Sequence, residues 1–159
     1  MGTKIANKKL IKRAKVTDRS LIKEAIKALK LSYSPYSNFK VGVAVLKSNQ
    51  KIYKGANIEN ASYPLCLCAE RTALAHAYVV DSRSKILAMA VVCSSDKNNL
   101  LNAGTPCGAC RQVISEFEDM QNAPIRIILS TVDFKDIKIY DSIKILLPDA
   151  FNGKNLNTH

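Results

Sequence analysis

Ile86-Leu87-Ala88-Met89-Ala90-Val91-Val92-Cys93 is a run of apolar side chains with no charge in it. A strand with one face in water alternates apolar and polar residues. A run without alternation suits a strand covered on both faces. Such a strand needs helices above and below, and the flanking sequence supplies them. Leu67 to Val80, rich in Ala and Leu, reads as a helix, and so does Gly108 to Glu118. Near the start of the chain, Leu21, Ile22, Ala25, Ile26 and Leu29 recur at helical spacing, with Lys23, Lys27 and Lys30 off the stripe. Thr17 or Asp18 can cap that helix. Phe39 to Leu46 reads as a strand with Phe39, Val41, Val43 and Val45 on one face. Ser48-Asn49-Gln50 turns the chain into a returning strand, Lys51 to Ala56. Ile125 to Val132 reads as strand, Ile137 to Tyr140 as a short edge strand, and Asp141 to Leu147 as a short final helix capped by Asp141 and stopped by Pro148. The order predicts an α/β fold with helices on both sides of one mixed sheet.

A chain of 159 residues suggests one domain, and at 47% hydrophobic it can bury a core. The longest uncharged apolar run falls short of the roughly 20 residues that span a bilayer, so no membrane partner is expected. The basic N-terminal residues are not followed by an apolar stretch, which argues against a secretory signal. The net charge of +11 is unevenly spread. Residues 1 to 16 hold six basic side chains and no acid, which leaves 18 basic against 13 acidic in the rest. The expectation is a flexible basic tail over 1–16 and a single domain over 17–159, with the charge excess argued away from nucleic acid recognition. Cys66, Cys68, Cys93, Cys107 and Cys110 make an odd count. Together with the missing secretion signal, this points to a cytoplasmic protein whose thiols do chemistry rather than form a disulfide framework.

The strongest chemical signal is Cys68-Ala69-Glu70 followed by Pro106-Cys107-Gly108-Ala109-Cys110. A Cys-x-x-Cys pair at a helix start places both side chains on one face. Unpaired N–H groups and the positive end of the helix dipole favour the thiolates a metal needs. Cys68 opens the preceding helix in the same way. Three sulfurs from two helix starts would leave one tetrahedral position open, the pattern of a catalytic rather than a structural zinc. Glu70 is placed to take a proton from a metal-activated water.

Other readings stay open at this point. Cys107 and Cys110 could form a structural zinc knuckle or a redox pair, Glu70 could be an ordinary acid at a helix start, and Cys66 could compete with Cys68 as ligand. Cys93 reads as a small buried hydrophobe. His76 and His159 have no ligand or base spacing. Three thiolates overcompensate a divalent cation, so something positive should offset them. Arg71 and Arg111 each follow a motif residue and could donate to the sulfurs.

The sequence resembles the small, tetrameric cytidine deaminases within the wider zinc deaminase family. The resemblance runs through Tyr33-Ser34-Pro35-Tyr36-Ser37-Asn38-Phe39-Lys40-Val41-Gly42, then Asn57-Ile58-Glu59-Asn60-Ala61-Ser62-Tyr63-Pro64, and Cys68-Ala69-Glu70-Arg71-Thr72-Ala73. It continues in Thr105 to Val113 and in Leu146-Leu147-Pro148-Asp149-Ala150-Phe151. It implies a three-layer α/β/α sandwich around a five-stranded mixed sheet, and hydrolysis of cytidine and deoxycytidine to the uridines and ammonia. It also implies Zn²⁺ on Cys68, Cys107 and Cys110, with Glu70 as proton shuttle. Asn57 and Glu59 would bond the ribose hydroxyls and Phe39 would pack on the nucleoside. The Ala69 N–H would read the base carbonyl, and the Thr105 carbonyl would accept from the departing amine. Tyr63 and Phe151 would reach a neighbouring subunit's site in a homotetramer.

Three alternatives are set against this. A polynucleotide-editing deaminase finds support only in the basic tail, and it usually has His where Cys68 stands. A blasticidin deaminase should lack Asn57-Ile58-Glu59-Asn60. A zinc-binding module without catalysis would tolerate loss of Glu70, which is present.

Overall fold

The computed structural model describes residues 16–95 and 102–156, so all of the expected basic tail except Val16 lies outside the described residues. In chain order the elements are α1 (Asp18–Ala28), β1 (Phe39–Lys47), β2 (Ile52–Ala56), α2 (Ala69–Val80), β3 (Ile86–Ser95), α3 (Gly108–Gln121), β4 (Arg126–Ser130) and β5 (Ile137–Tyr140). The strands form one sheet in the order β2-β1-β3-β4-β5. Only β3 and β4 run parallel; the other pairs are antiparallel. The apolar run therefore lies on the middle strand of a mixed sheet.

Period two along the strands sorts the core into two layers. Val43, Val45, Met89, Val91, Ile127 and Leu129 meet Ala73 and Leu74 of α2 and Ile114 of α3. The intervening residues Ala44, Leu46, Ala88, Ala90, Val92 and Ile128 meet Leu21, Ile22 and Ala25 of α1. The result is a three-layer α/β/α sandwich. Two strand glycines let the helices approach closely. A Cβ on Gly42 would stand 2.2 Å from the Ala25 carbonyl oxygen, and one on Gly55 would stand 2.3 Å from the Ala73 nitrogen.

The helix ends are held by specific groups. Thr17 and Ser20 form a reciprocal capping box at α1. At the other end of α2, the buried Lys47 amine donates to the carbonyls of Ala77 (3.2 Å) and Asp81, over the ring of Tyr53. A cation there complements the helix dipole, and burial lowers the lysine's pKa. Near the end of α3, the buried Glu118 carboxylate accepts from the Ile125 and Ile143 amides (2.8 and 3.0 Å) and from the Ser142 hydroxyl (2.7 Å).

Two expectations need correction. The final helix over Asp141–Leu147 is a single 3-10 turn, Ile143–Ile145, capped by Ser142 rather than Asp141. The Glu118 carboxylate fixes Ser142 and the Ile143 amide there, and Asp141 lies outward beside Arg126 at 3.3 Å. The helix expected from Leu67 begins at Ala69. The backbone of Leu67 instead exchanges two 2.9 Å hydrogen bonds with Ile58.

Candidate active site

That short bridge between Ile58 and Leu67 has a consequence for the site. It ties the Asn57–Glu59 segment to the residue before Cys68. Cys68 is the N-cap of α2 and Cys107 the N-cap of α3, both with extended backbone. Neither helix start shows a geometric side-chain capping bond from its cysteine. Cys110, one turn into α3, is buried. The Sγ atoms of Cys68, Cys107 and Cys110 all lie within 4.8 Å of one another. Sulfurs sharing a tetrahedral zinc at about 2.3 Å stand about 3.8 Å apart, so the three fit one ion with small adjustments.

Glu70 lies beside them and is only 5% exposed. Burial raises its pKa, against opposing contributions from its own backbone N–H, Cys110 and Arg71. Burial likewise pushes the Cys110 thiol up. At Cys107 burial also opposes the thiolate, but hydrogen bonding from Cys110 and Cys68 outweighs it, and the pKa falls. Arg71 Nη2 donates to the Cys66 carbonyl at 3.0 Å and reaches Cys68 Sγ at 3.8 Å. The bond to Cys68 holds the guanidinium above its ordinary pKa. Arg111 does something else. Its Nε donates to the Pro106 carbonyl and its Nη1 to the Leu146 carbonyl, at 2.8 and 2.9 Å, so it fastens the segment before Cys107 instead of pointing at sulfur.

These groups open onto a cavity of about 320 Å³. Phe39, Asn57, Glu59, Ala69, Glu70 and Thr105 all line it, with Cys68 and Cys107. Asn57 is already engaged. Its Oδ1 accepts from the Val41 amide (2.8 Å) and the Ser32 hydroxyl (2.6 Å), and its Nδ2 donates to the Phe39 carbonyl (2.9 Å). Glu59 accepts from the Tyr36 amide at 2.9 Å and from the Ser37 hydroxyl, which holds its carboxyl below the usual pKa. Tyr63 and Phe151 stand apart from this cavity, 69% and 58% exposed. Tyr63 meets Tyr36 edge-on at 5.9 Å.

Cys66 is not in the triad; its sulfur accepts from the Asn60 amide at 3.2 Å. His76 lies on α2 with its Nδ1 3.0 Å from the Lys54 carbonyl. Sequence reasoning missed the lining residues Val41, Val91, Cys93 and Gly104, and the supports Ser32 and Ser37. Ser37, in the turn before Phe39, offered a faint signal; the others depend on contacts across the fold.

Three sulfurs and a buried carboxyl at two converging helix starts, opening on a ligand-sized cavity, define a metallohydrolase site. The family model described as the cytidine and deoxycytidylate deaminase zinc-binding region matches residues 15–123, and the chain belongs to that family. Zinc is accordingly the metal of the site. A cytidine deaminase of Halalkalibacterium halodurans is 42% identical over 86% of this chain and 96% of its own. The crystal structure of a Burkholderia pseudomallei cytidine deaminase superposes with a TM-score of 0.75 at 40% identity, covering 86% of this chain and 100% of that one. A Mycobacterium tuberculosis cytidine deaminase structure gives 0.66 at 31% identity, covering 86% and 98%. Among the described residues no helix is long and apolar enough to cross a membrane.

Proposed function

We propose that the residues of this site share the work of one reaction, the hydrolytic deamination of cytidine and deoxycytidine to uridine and deoxyuridine with release of ammonia. The observation that carries this reading is the sulfur triad with the buried Glu70 beside it, at one end of a nucleoside-sized cavity. Cys68, Cys107 and Cys110 hold the zinc, which supplies the Lewis acidity that makes water a nucleophile near neutral pH. Glu70 takes the proton from the attacking water and delivers it to N3 of the base; it then takes the proton of the new C4 hydroxyl and passes it to the amine as the C4–N4 bond breaks, leaving the C4 carbonyl and ammonia. A carboxyl group with a raised pKa suits both halves of that task.

The other roles follow from what each group still has to offer. The Ala69 N–H, first in α2, donates to the base carbonyl, and the Thr105 carbonyl accepts from the amine. Phe39 covers the nucleoside with its ring. Asn57 keeps one unused Nδ2 hydrogen, and the Glu59 oxygens keep lone pairs, so the pair can donate to and accept from ribose hydroxyls. Arg71 offsets the thiolate charge at Cys68, while Arg111 secures the wall before Cys107. Phe151 and Tyr63 project outward from their own chain, which supports their serving a neighbour's site in a homotetramer. The setting is cytoplasmic salvage of free nucleosides, without a membrane or nucleic acid partner. Loss of cytosine absorbance tests the reading. The purified protein should act on free cytidine and leave a single-stranded oligonucleotide untouched; the reverse preference would reassign the substrate.

A further inference from the structure

The segment 103–106, just before Cys107, has no regular secondary structure, yet it is held at three points. At one end the Ala103 amide donates to Asp136 Oδ2 at 2.8 Å. At the other, the Pro106 carbonyl accepts from Arg111 Nε. Between them Gly104 rests on the sulfur of Cys93. A Cβ built on Gly104 would stand 2.8 Å from Cys93 Sγ, closer than unbonded carbon and sulfur tolerate. Cys93 is buried on β3, the middle strand, and its sulfur is outside the zinc triad. It lines the same cavity as Glu70, Gly104 and Thr105.

We propose that Cys93 is a positioning residue. Its sulfur seats Gly104, and this contact sets how far the Thr105 backbone stands into the cavity and so how much room the substrate's exocyclic amine has. The inference rests on the role given above to the Thr105 carbonyl. A hydrogen bond to that amine works only over a few tenths of an ångström around 2.9 Å. The middle strand of a packed sheet is a stiff reference for such a distance, and a small sulfur against a residue without a side chain lets the wall lie back against it. More bulk on either side drives the wall inward; less lets it recede.

The test uses Gly104→Ala, Cys93→Ala and the double variant, each checked for zinc content and melting temperature. Gly104→Ala should keep its zinc and raise KM for cytidine on the order of tenfold, with a smaller change in kcat. Adding Cys93→Ala should bring KM back to within about threefold of the parent. The reason is geometric: with the sulfur gone, the nearest atom to the new methyl is the Cβ of residue 93, at an ordinary 3.6 Å. Cys93→Ala alone should raise kcat/KM for N4-methylcytidine relative to cytidine by about tenfold, because the receding wall admits the extra methyl. A double variant no better than Gly104→Ala, or an unchanged substituent preference in Cys93→Ala, would overturn the proposal. If Gly104→Ala does not fold, Cys93→Val carries the test by raising KM and lowering the N4-methyl preference; no change in either would be decisive against it. If the unaltered protein fails to turn over cytidine, the functional reading falls separately, and the Cys93–Gly104 contact is judged by whether the double variant recovers the melting temperature lost in Gly104→Ala.

Discussion

A carboxyl group buried beside three sulfurs holds a proton more readily than one in water, and that is the property a proton carrier needs near neutrality. Glutamine has the same shape but cannot take up or release that proton. Glu70→Gln should therefore bind zinc and melt like the parent while losing on the order of 10²–10⁴ in kcat. Metal analysis beside the absorbance assay checks this, and near-parental turnover would remove Glu70 from the chemistry. Much of the candidate site was legible because its signal is local: Cys68, Glu70, Cys107 and Cys110 sit at spacings that helix starts turn into one cluster. The rest was hidden because it depends on contact. Nothing at residue 104 announces that its neighbour is residue 93. Nor does the spelling of Asn57 reveal that three of its polar contacts are spent on Ser32, Phe39 and Val41. Arg111 follows Cys110 in sequence, yet its reach goes to Pro106 and Leu146.

Elements were legible in kind and less so at their ends. The apolar run Ile86–Cys93 located the middle strand, helical periodicity located α1, and an Ala- and Leu-rich run located α2, since burial on a regular lattice leaves a mark on composition and spacing. Ends depend on which polar group wins a backbone amide. At the last turn the winner is Glu118, a charged residue that is nonetheless buried. Its carboxylate serves the start of β4 and the turn at Ile143–Ile145 together. Glu118→Ala strands two amides and a hydroxyl without a partner and should cost about 3 kcal/mol or more. Glu118→Gln keeps one acceptor oxygen and should lose less than half of that. Urea unfolding midpoints measure both, and equal losses in the two variants would show that the negative charge, which both remove, sets the effect rather than the acceptor oxygen that glutamine retains.

For the whole molecule, the exposed Phe151 is the feature that most calls for a second chain. It stands clear of its own cavity, and its carbonyl is held by Gln112 Nε2 at 2.6 Å. If a neighbour's site uses this ring, Phe151→Ala should raise KM while the assembly stays intact. Mixed with Glu70→Gln chains, it should regain activity, because some sites then combine an intact Glu70 with an intact Phe151. Co-refolded mixtures no more active than the average of their parents would place the ring's work within its own chain. The attachment of α2 bears on the metal in another way. This helix presses on Gly55 at Ala73, bonds Ala56 through Thr72, and is clasped at its far end by Lys47. The backbone of Cys68 at its start is thereby fixed to the sheet, and only rotation of its own side chain can move the sulfur. If these sulfurs hold the ion, the part of its seat carried by α2 has no hinge of its own, and a chelator should draw zinc out more slowly than it would from sulfurs carried on a free loop.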